Sequence, residues 1–229
     1  MLDSPSEEED RWSVDSLLEA LANLWRESGA GDELRLIGGL AVRLHVGTNA
    51  RRTADIDVVA LTDSARARLL GHLEQAGWII GTSGGWWRAV RSGSPRLFID
   101  IAGHPVVSPK TFETISLRSP ALRYTIGEIV VSVAGLEDIA ALKLMAMRDQ
   151  DLVDLVLLAR LGLSAEAIAD RAAADDVERS LSAGAHRARH ALRTGLVAEL
   201  YEQTLSRAPE EQELLKLEHF LSALERSGL

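Results

Sequence analysis

Three aspartates and one lysine stand where solvation alone would not put them. In "RRTADIDVVA" (51–60), Asp55 and Asp57 flank Ile56 where a polar segment becomes an apolar run. Carboxylates are poor strand formers and costly to bury. On a strand, residues i and i+2 share a face with Cα atoms roughly 6.5–7 Å apart, so the two acids project together while Ile56 points into the opposite face. Two carboxylates on one face repel each other unless a cation lies between them, and an oxygen-only ligand set suits magnesium, manganese or calcium. "RLFIDIAG" (96–103) repeats the environment, with Asp100 alone among Leu97, Phe98, Ile99 and Ile101. A third acid could complete a two-ion site of the kind that clamps the attacking and leaving oxygens of a phosphoryl transfer. D-x-D by itself is a weak pattern, and an Asp opening a strand is often only an exposed turn residue.

Upstream, Gly38 and Gly39 in "LIGGLAV" follow a strand-like run and precede a helix-like one. A glycine pair there lets the backbone approach a ligand and turns helix-start N–H groups toward it, a geometry suited to phosphate. A plain strand-to-helix turn reads the same way. Downstream, Lys143 sits among Ala140, Ala141, Leu142, Leu144 and Met145. The chain has 25 basic residues and only three are lysine, so a lysine in apolar company suggests an anion to meet. A surface lysine with a buried stem is the alternative. Eleven residues separate Lys143 from Asp154, about three helical turns, which puts both on one face if the helix is continuous. A break near Asp149 would loosen that phasing. Asp151 and Asp154 could orient Lys143 or Arg148, or serve only as first-turn acids of the next helix.

These residues need a scaffold. Helical spacing covers 14–29, a strand runs over 33–39 into a short helix at 40–47, and "DIDVVAL" is a second strand. An amphipathic helix at 64–77 is closed by Gly77. "GWWRAV" and "RLFIDIAG" form a hairpin around "RSGSP", and "RYTIGEIVVSVAG" gives two strands around Gly127. From Leu136 the pattern is helical to the end, over 136–149, 151–161, 164–173, 175–192, 195–206 and 209–226. The expected class is α+β with a mixed sheet. Residues 1–12 read as a disordered tail, 13–134 as the α/β core, and 135–229 as a helical region completing the site.

Composition narrows the classes. The chain has 229 residues, 46% hydrophobic, enough for a real core. No apolar run reaches the roughly 18 residues of a membrane span, and "MLDSPSEEEDRW" is unlike a secretory leader. With no cysteine, disulfides, thiolate zinc sites and cysteine nucleophiles are excluded. A cytoplasmic chain without membrane association is the expectation. The net charge of −9 argues against a general nucleic-acid coat, though not against a local basic patch.

"GGLAVRLHVGTNARRTADIDVV" resembles the core of the nucleotidyltransferase superfamily that includes DNA polymerase β, and within it the AbiEii-type (also MenT-type) toxins. That family reads as a Gly-Gly or Gly-Ser turn, a short helix, then R-x-T-x-D-[IL]-D, filled here by Arg51, Thr53, Asp55, Ile56 and Asp57. "LKLMAMRDQDLVDLVLL" is similar to its later segment through Lys143, Leu144, Ala146, Arg148, Asp151 and Asp154, with Gln150 where a basic residue is common. The resemblance spans about 33–160. It implies Mg2+ or Mn2+ held by Asp55, Asp57 and Asp100, with Asp100 alternatively accepting the proton of the attacking hydroxyl. It further implies a nucleoside triphosphate bound by Gly38, Gly39, Arg51, Thr53, Lys143, Arg148, Asp151 and Asp154. The acceptor it suggests is a tRNA 3′ end, in a toxin with a cognate antitoxin. A small-molecule or protein acceptor is the enzymatic alternative, and a silent nucleotide- or partner-binding member the non-enzymatic one.

Other features are weaker. His186 and His190 have zinc-compatible i, i+4 spacing but no third ligand, so an exposed basic face is the reading. Trp86 and Trp87 could stack a base, although adjacent strand aromatics usually place one ring in the core and one outside. His45 is read as packing.

Overall fold

The computed structural model describes residues 13–47, 50–92 and 96–229. The expected tail at 1–12 and part of the "RSGSP" loop lie outside the described residues.

Helix α1 (Val14–Glu27) starts on Ser13, whose side chain accepts the Ser16 N–H, and buries Leu17, Leu21, Leu24 and Trp25. A 3₁₀ turn (Gly31–Glu33) leads into β1 (Leu34–Ile37), then α2 (Gly38–Val46), β2 (Asp55–Ala60) and α3 (Asp63–Gln75). Strands β3 (Ile79–Ser83), β4 (Trp86–Arg91) and β5 (Leu97–Gly103) follow, then β6 (Val106–Val107), β7 (Thr114–Ile115), β8 (Leu122–Ile126) and β9 (Ile129–Val133). The helical half comprises α4 (Leu136–Ala146), α5 (Asp149–Ala159), α6 (Ala165–Asp175), α7 (Glu178–Arg193), α8 (Leu196–Leu205) and α9 (Glu211–Arg226).

The main sheet is seven-stranded in the order β3-β4-β5-β2-β1-β9-β8. Strands β2 and β5 are parallel, as are β1 and β9, and the remaining neighbours are antiparallel. It is therefore a mixed sheet in an α/β chain, as the sequence suggested. Strand β3 escaped the sequence reading because its residues are mostly exposed and lack strict alternation. It pairs with β4 through Gly84 and Gly85, both at positive φ, and forms the sheet edge.

Helix α5 decides the interior. Every residue from Asp151 to Ala159 is buried, so this is a helix enclosed on all sides, packed by α2, α4, α8 and α9. Any acid on it needs a partner. The expected continuous helix over 136–149 instead ends at Ala146, because Met147 adopts the left-handed conformation (φ 44°) and Arg148 is extended.

Helix α7 crosses α4 at Gly184, where an added Cβ would stand 2.0 Å from the Leu144 carbonyl oxygen. Backbone cannot give way as a side chain can. Gly184→Ala is expected to destabilise the chain by about 2–3 kcal/mol, visible as a lower urea midpoint with unchanged slope.

Candidate active site

The register of β2 on β5 pairs Asp57 with Asp100 directly, and Asp55 with Phe98. Side chains at paired positions of parallel strands share a face, and so do residues two apart. Asp55, Asp57 and Asp100 therefore project from one face of the sheet, while Ile56, Ile99 and Ile101 fill the other.

The two glycines have separate steric reasons. Gly38 has φ 72°, and a Cβ there would lie 1.9 Å from Asp57 Oδ2, so the carboxylate occupies the space a side chain would need. The start of α2, which carries the positive end of its dipole, thereby abuts Asp57. Gly39 instead leaves room for Arg51: its Cβ would be 2.7 Å from Nη2 of that residue and 3.0 Å from Thr53 Oγ1. Gly38 lines the cleft described below, and Gly39 is buried behind it. Gly38→Ala is expected to push Asp57 out of place and strain φ together. Its activity should fall about as far as that of an Asp57 variant, with about 2 kcal/mol or more lost in stability; near-normal turnover would refute the close packing.

Behind the acids lies a buried ionic cluster. Arg51 grips Asp154 with two bonds, Nε to Oδ1 at 2.9 Å and Nη2 to Oδ2 at 3.1 Å. Lys143 Nζ reaches both Asp151 Oδ1, at 2.8 Å, and Asp154 Oδ2, at 2.6 Å. Asp151 also accepts the Arg148 backbone N–H at 2.9 Å and its Nε at 3.0 Å. The side chains of Asp151 and Asp154 are 0% exposed and that of Lys143 is 4% exposed. Burial pushes the Asp151 carboxyl up, but Lys143 and Arg148 outweigh it and hold the group below its ordinary range. Asp151 thus caps α5 and also pairs with Lys143. Lys143 and Asp154 meet although the helix between them is broken, because the left-handed turn at Met147 folds α4 against α5. Thr53 contributes a long contact, Oγ1 to the Asp55 carbonyl at 3.5 Å.

A cleft of about 540 Å³ opens over this arrangement, walled by Gly38, Asp57, Asp100, Lys143 and Arg148. Trp86, Arg88, Ser108 and Lys110 also line it. Of the residues singled out from sequence, Asp55, Gly39, Arg51, Thr53, Asp151 and Asp154 do not line it; they stand beside or beneath those that do.

Arg88 was not read from the sequence. It lies opposite Asp100 across β4 and β5 and takes both carboxylate oxygens, Nε to Oδ1 at 2.7 Å and Nη2 to Oδ2 at 2.6 Å. In a chain with 22 arginines, one more in "GWWRAV" gives no signal; only the cross-strand register singles it out.

Among the described residues neither Asp55 nor Asp57 has an ion-pair partner within 4.0 Å. Burial, and then the charge of Asp100, push the Asp57 carboxyl up to about 6. The same two causes raise Asp55. Unrelieved repulsion among oxygen-only donors fits an oxygen-preferring divalent cation. The set is not a closed cage: among the described residues no three acidic or imidazole groups converge as a ready-made ion site.

The remaining candidates separate readily. His186 and His190 are exposed on α7, far from forming a metal cluster among the described residues. Trp86 and Trp87 are both half-buried, unlike the expected core-and-surface split. Trp86 Nε1 donates to the Val107 carbonyl at 2.7 Å, and Trp87 lies under the Arg66 guanidinium at 4.4 Å. The cause is position, since β4 is next to the sheet edge and only its Ala89 is fully covered. His45 donates to the Ala134 carbonyl at 2.8 Å and is a packing residue.

A mixed sheet bearing in-register acids, followed by a helical half, is the nucleotidyltransferase fold, and two solved structures share it over nearly the whole chain. JHP933 from Helicobacter pylori is 17% identical with a TM-score of 0.52, covering 98% of this chain and 95% of that one. An H. pylori protein assigned as a nucleotidyltransferase is 18% identical with a TM-score of 0.51, covering 97% of each chain. At such identities the likeness speaks for the fold alone. The family follows from sequence: residues 19–226 match the nucleotidyl transferase AbiEii toxin family of type IV toxin–antitoxin systems, and the chain belongs to it. No curated protein is significantly similar to it. Among the described residues no helix is long and apolar enough to cross a membrane.

Proposed function

We propose that the protein transfers a nucleoside monophosphate from a nucleoside triphosphate to an acceptor hydroxyl, in a reaction dependent on Mg2+ or Mn2+. The observation that carries this reading is the in-register pair Asp57 and Asp100 in a cleft that Lys143 and Arg148 also line. Asp55, Asp57 and Asp100 would hold the metal, which when bound neutralises phosphate charge and polarises the reacting phosphorus. Lys143 and Arg148, which line the same cleft, bind the triphosphate, with Gly38 admitting it close to the backbone. Arg51, Asp151 and Asp154 are positioning residues that hold Lys143 and Arg148 in register, and Gly39 makes room for Arg51 and Thr53.

The acceptor oxygen attacks the α-phosphorus in line, forming one P–O bond. The bond to the β-phosphate oxygen breaks, and pyrophosphate leaves with the electron pair. The hydroxyl proton passes to a cleft carboxylate. Catalysis of this kind is mostly positioning and charge neutralisation.

The acceptor we propose is the 3′ end of a tRNA. Arg88, Lys110 and Arg148 line the cleft, basic groups of the kind a nucleic-acid backbone needs, on a chain whose overall charge is −9. Membership in a toxin–antitoxin family implies a cognate antitoxin. Incubation with each α-labelled triphosphate, Mg2+ and either total tRNA, cell protein or small hydroxylic acceptors tests the assignment. Label is expected in tRNA, and label only in protein or small molecules would overturn the acceptor. Calorimetry is expected to give triphosphate binding that requires Mg2+ or Mn2+; absence of metal-dependent binding would remove the enzyme reading.

A further inference from the structure

The cations around the cleft are not equally free to move. Arg51 and Lys143 are 9% and 4% exposed; Arg51 is locked onto Asp154, and Lys143 is held between Asp151 and Asp154. Arg148 is more open but is tied to Asp151 through its backbone N–H, Nε and Nη2. Arg88 differs from all of them. Its side chain is 55% exposed, while that of its partner Asp100 is 14% exposed. It rises from a strand beside the sheet edge, lines the cleft itself, and among the described residues makes its ion pair to Asp100 alone.

That pair is chemically at odds with Asp100 acting as a metal ligand. A guanidinium that takes both carboxylate oxygens in a planar fork withdraws the lone pairs a cation would use. A second positive charge brought to the same carboxylate is also repelled by the first. Asp57 lines the same cleft and has no such partner among the described residues. The result is two acids in register, one open and one closed by an arginine that has room to leave.

We propose that Arg88 is a built-in counter-ion, holding Asp100 out of the metal-ligand set until a nucleotide enters, and that it then turns to the phosphates. A triphosphate brings negative charge to the cleft wall beside Arg88. The guanidinium exchanges one bidentate anionic partner for another, Asp100 becomes available, and metal and nucleotide are admitted together rather than one by one. Arg88 thus has a second role as a phosphate ligand during transfer. No bond is made or broken in the exchange. This inference rests on the nucleotidyltransferase reading of the cleft.

The test is Mn2+ binding to the full chain, followed by calorimetry and by Mn2+ electron paramagnetic resonance. It is run with and without an equimolar mixture of the four α,β-methylene nucleoside triphosphates, whose transfer is blocked. The native chain should bind Mn2+ weakly alone and tightly with the analogues. Arg88→Gln should bind Mn2+ alone about tenfold more tightly than the native chain does, and should lose most of the synergy with nucleotide. Transfer by the same variant should fall about a hundredfold, mainly in kcat, since a phosphate ligand of the transition state is gone. A merely structural Arg88 would lower both. Arg88→Lys keeps a charge without the fork and should fall between the two; its nucleotide-free affinity decides the matter if the glutamine variant does not fold. Unchanged or weaker nucleotide-free Mn2+ binding in a folded variant overturns the counter-ion role. A native chain that binds no Mn2+ even with nucleotide would instead overturn the metal-dependent reading beneath it.

Discussion

Asp57→Asn is expected to lose nucleotidyl transfer by about 10³-fold or more in kcat while becoming more stable than the native chain at neutral pH. The two effects share one cause. Asp57 is squeezed against Gly38, paired in register with Asp100, and has no cation within ion-pair distance among the described residues. Burial, and then the charge of Asp100, push its carboxyl up to about 6. In the metal-free chain the folded state holds this proton more tightly than the unfolded state does. Ionising Asp57 thus costs stability progressively as pH rises from about 4 through about 6, and the cost is complete above that. Asparagine keeps the shape and removes the charge. Its advantage in melting temperature should be present at pH 7 and fade toward pH 4. Added Mg2+ should stabilise the native chain and leave the variant unchanged. Melting curves at several pH values with and without metal, beside a labelled-nucleotide assay, check both halves. Retained activity, or a variant less stable than native at pH 7 without metal, would contradict the account.

Asp154→Ala is expected to have the opposite signature, a large loss of stability with loss of activity as its consequence. The carboxylate is wholly enclosed and is shared by Arg51 and Lys143. Removing it leaves two buried cations facing each other across a cavity. Breaking a buried pair in this way costs about 3–5 kcal/mol, or on the order of 10 °C in melting temperature for a chain of this length. Asp154→Asn should recover part of this by keeping hydrogen-bond acceptance toward one cation. The contrast is Arg148→Ala: that side chain is 61% exposed, so its pair with Asp151 should be worth at most about 1 kcal/mol. Its loss should weaken nucleotide binding more than folding. Chemical denaturation of the three variants distinguishes the buried cluster from the exposed arm.

How much of this was legible beforehand varies by residue. "DID" and "FID" announced themselves because a carboxylate inside an apolar alternating run is a local anomaly, visible without knowing its neighbours. Lys143 did so by the same logic. The glycine pair was legible as a close approach of backbone, but not its object, since Gly38 makes way for Asp57 and Gly39 for Arg51. The helix break was anticipated near Asp149 and lies two residues earlier, at Met147. A left-handed methionine is decided by what α4 and α5 pack against and leaves no trace in local propensity. Strand β3 was missed for a related reason: as an exposed edge strand it has no buried face to impose alternation.

The sequence by itself determined the class of element at nearly every point, the acids that stand out in apolar strands, and, through its spacing motifs, the family. Those are properties of residues a few positions apart. Only the tertiary structure decided that Asp57 and Asp100, 43 positions apart, stand side by side, that Arg51 reaches Asp154 across 103, and that Arg88 covers Asp100. Strand register and helix packing set those meetings, and both are fixed by the collective burial of the core, which no short stretch of the chain contains.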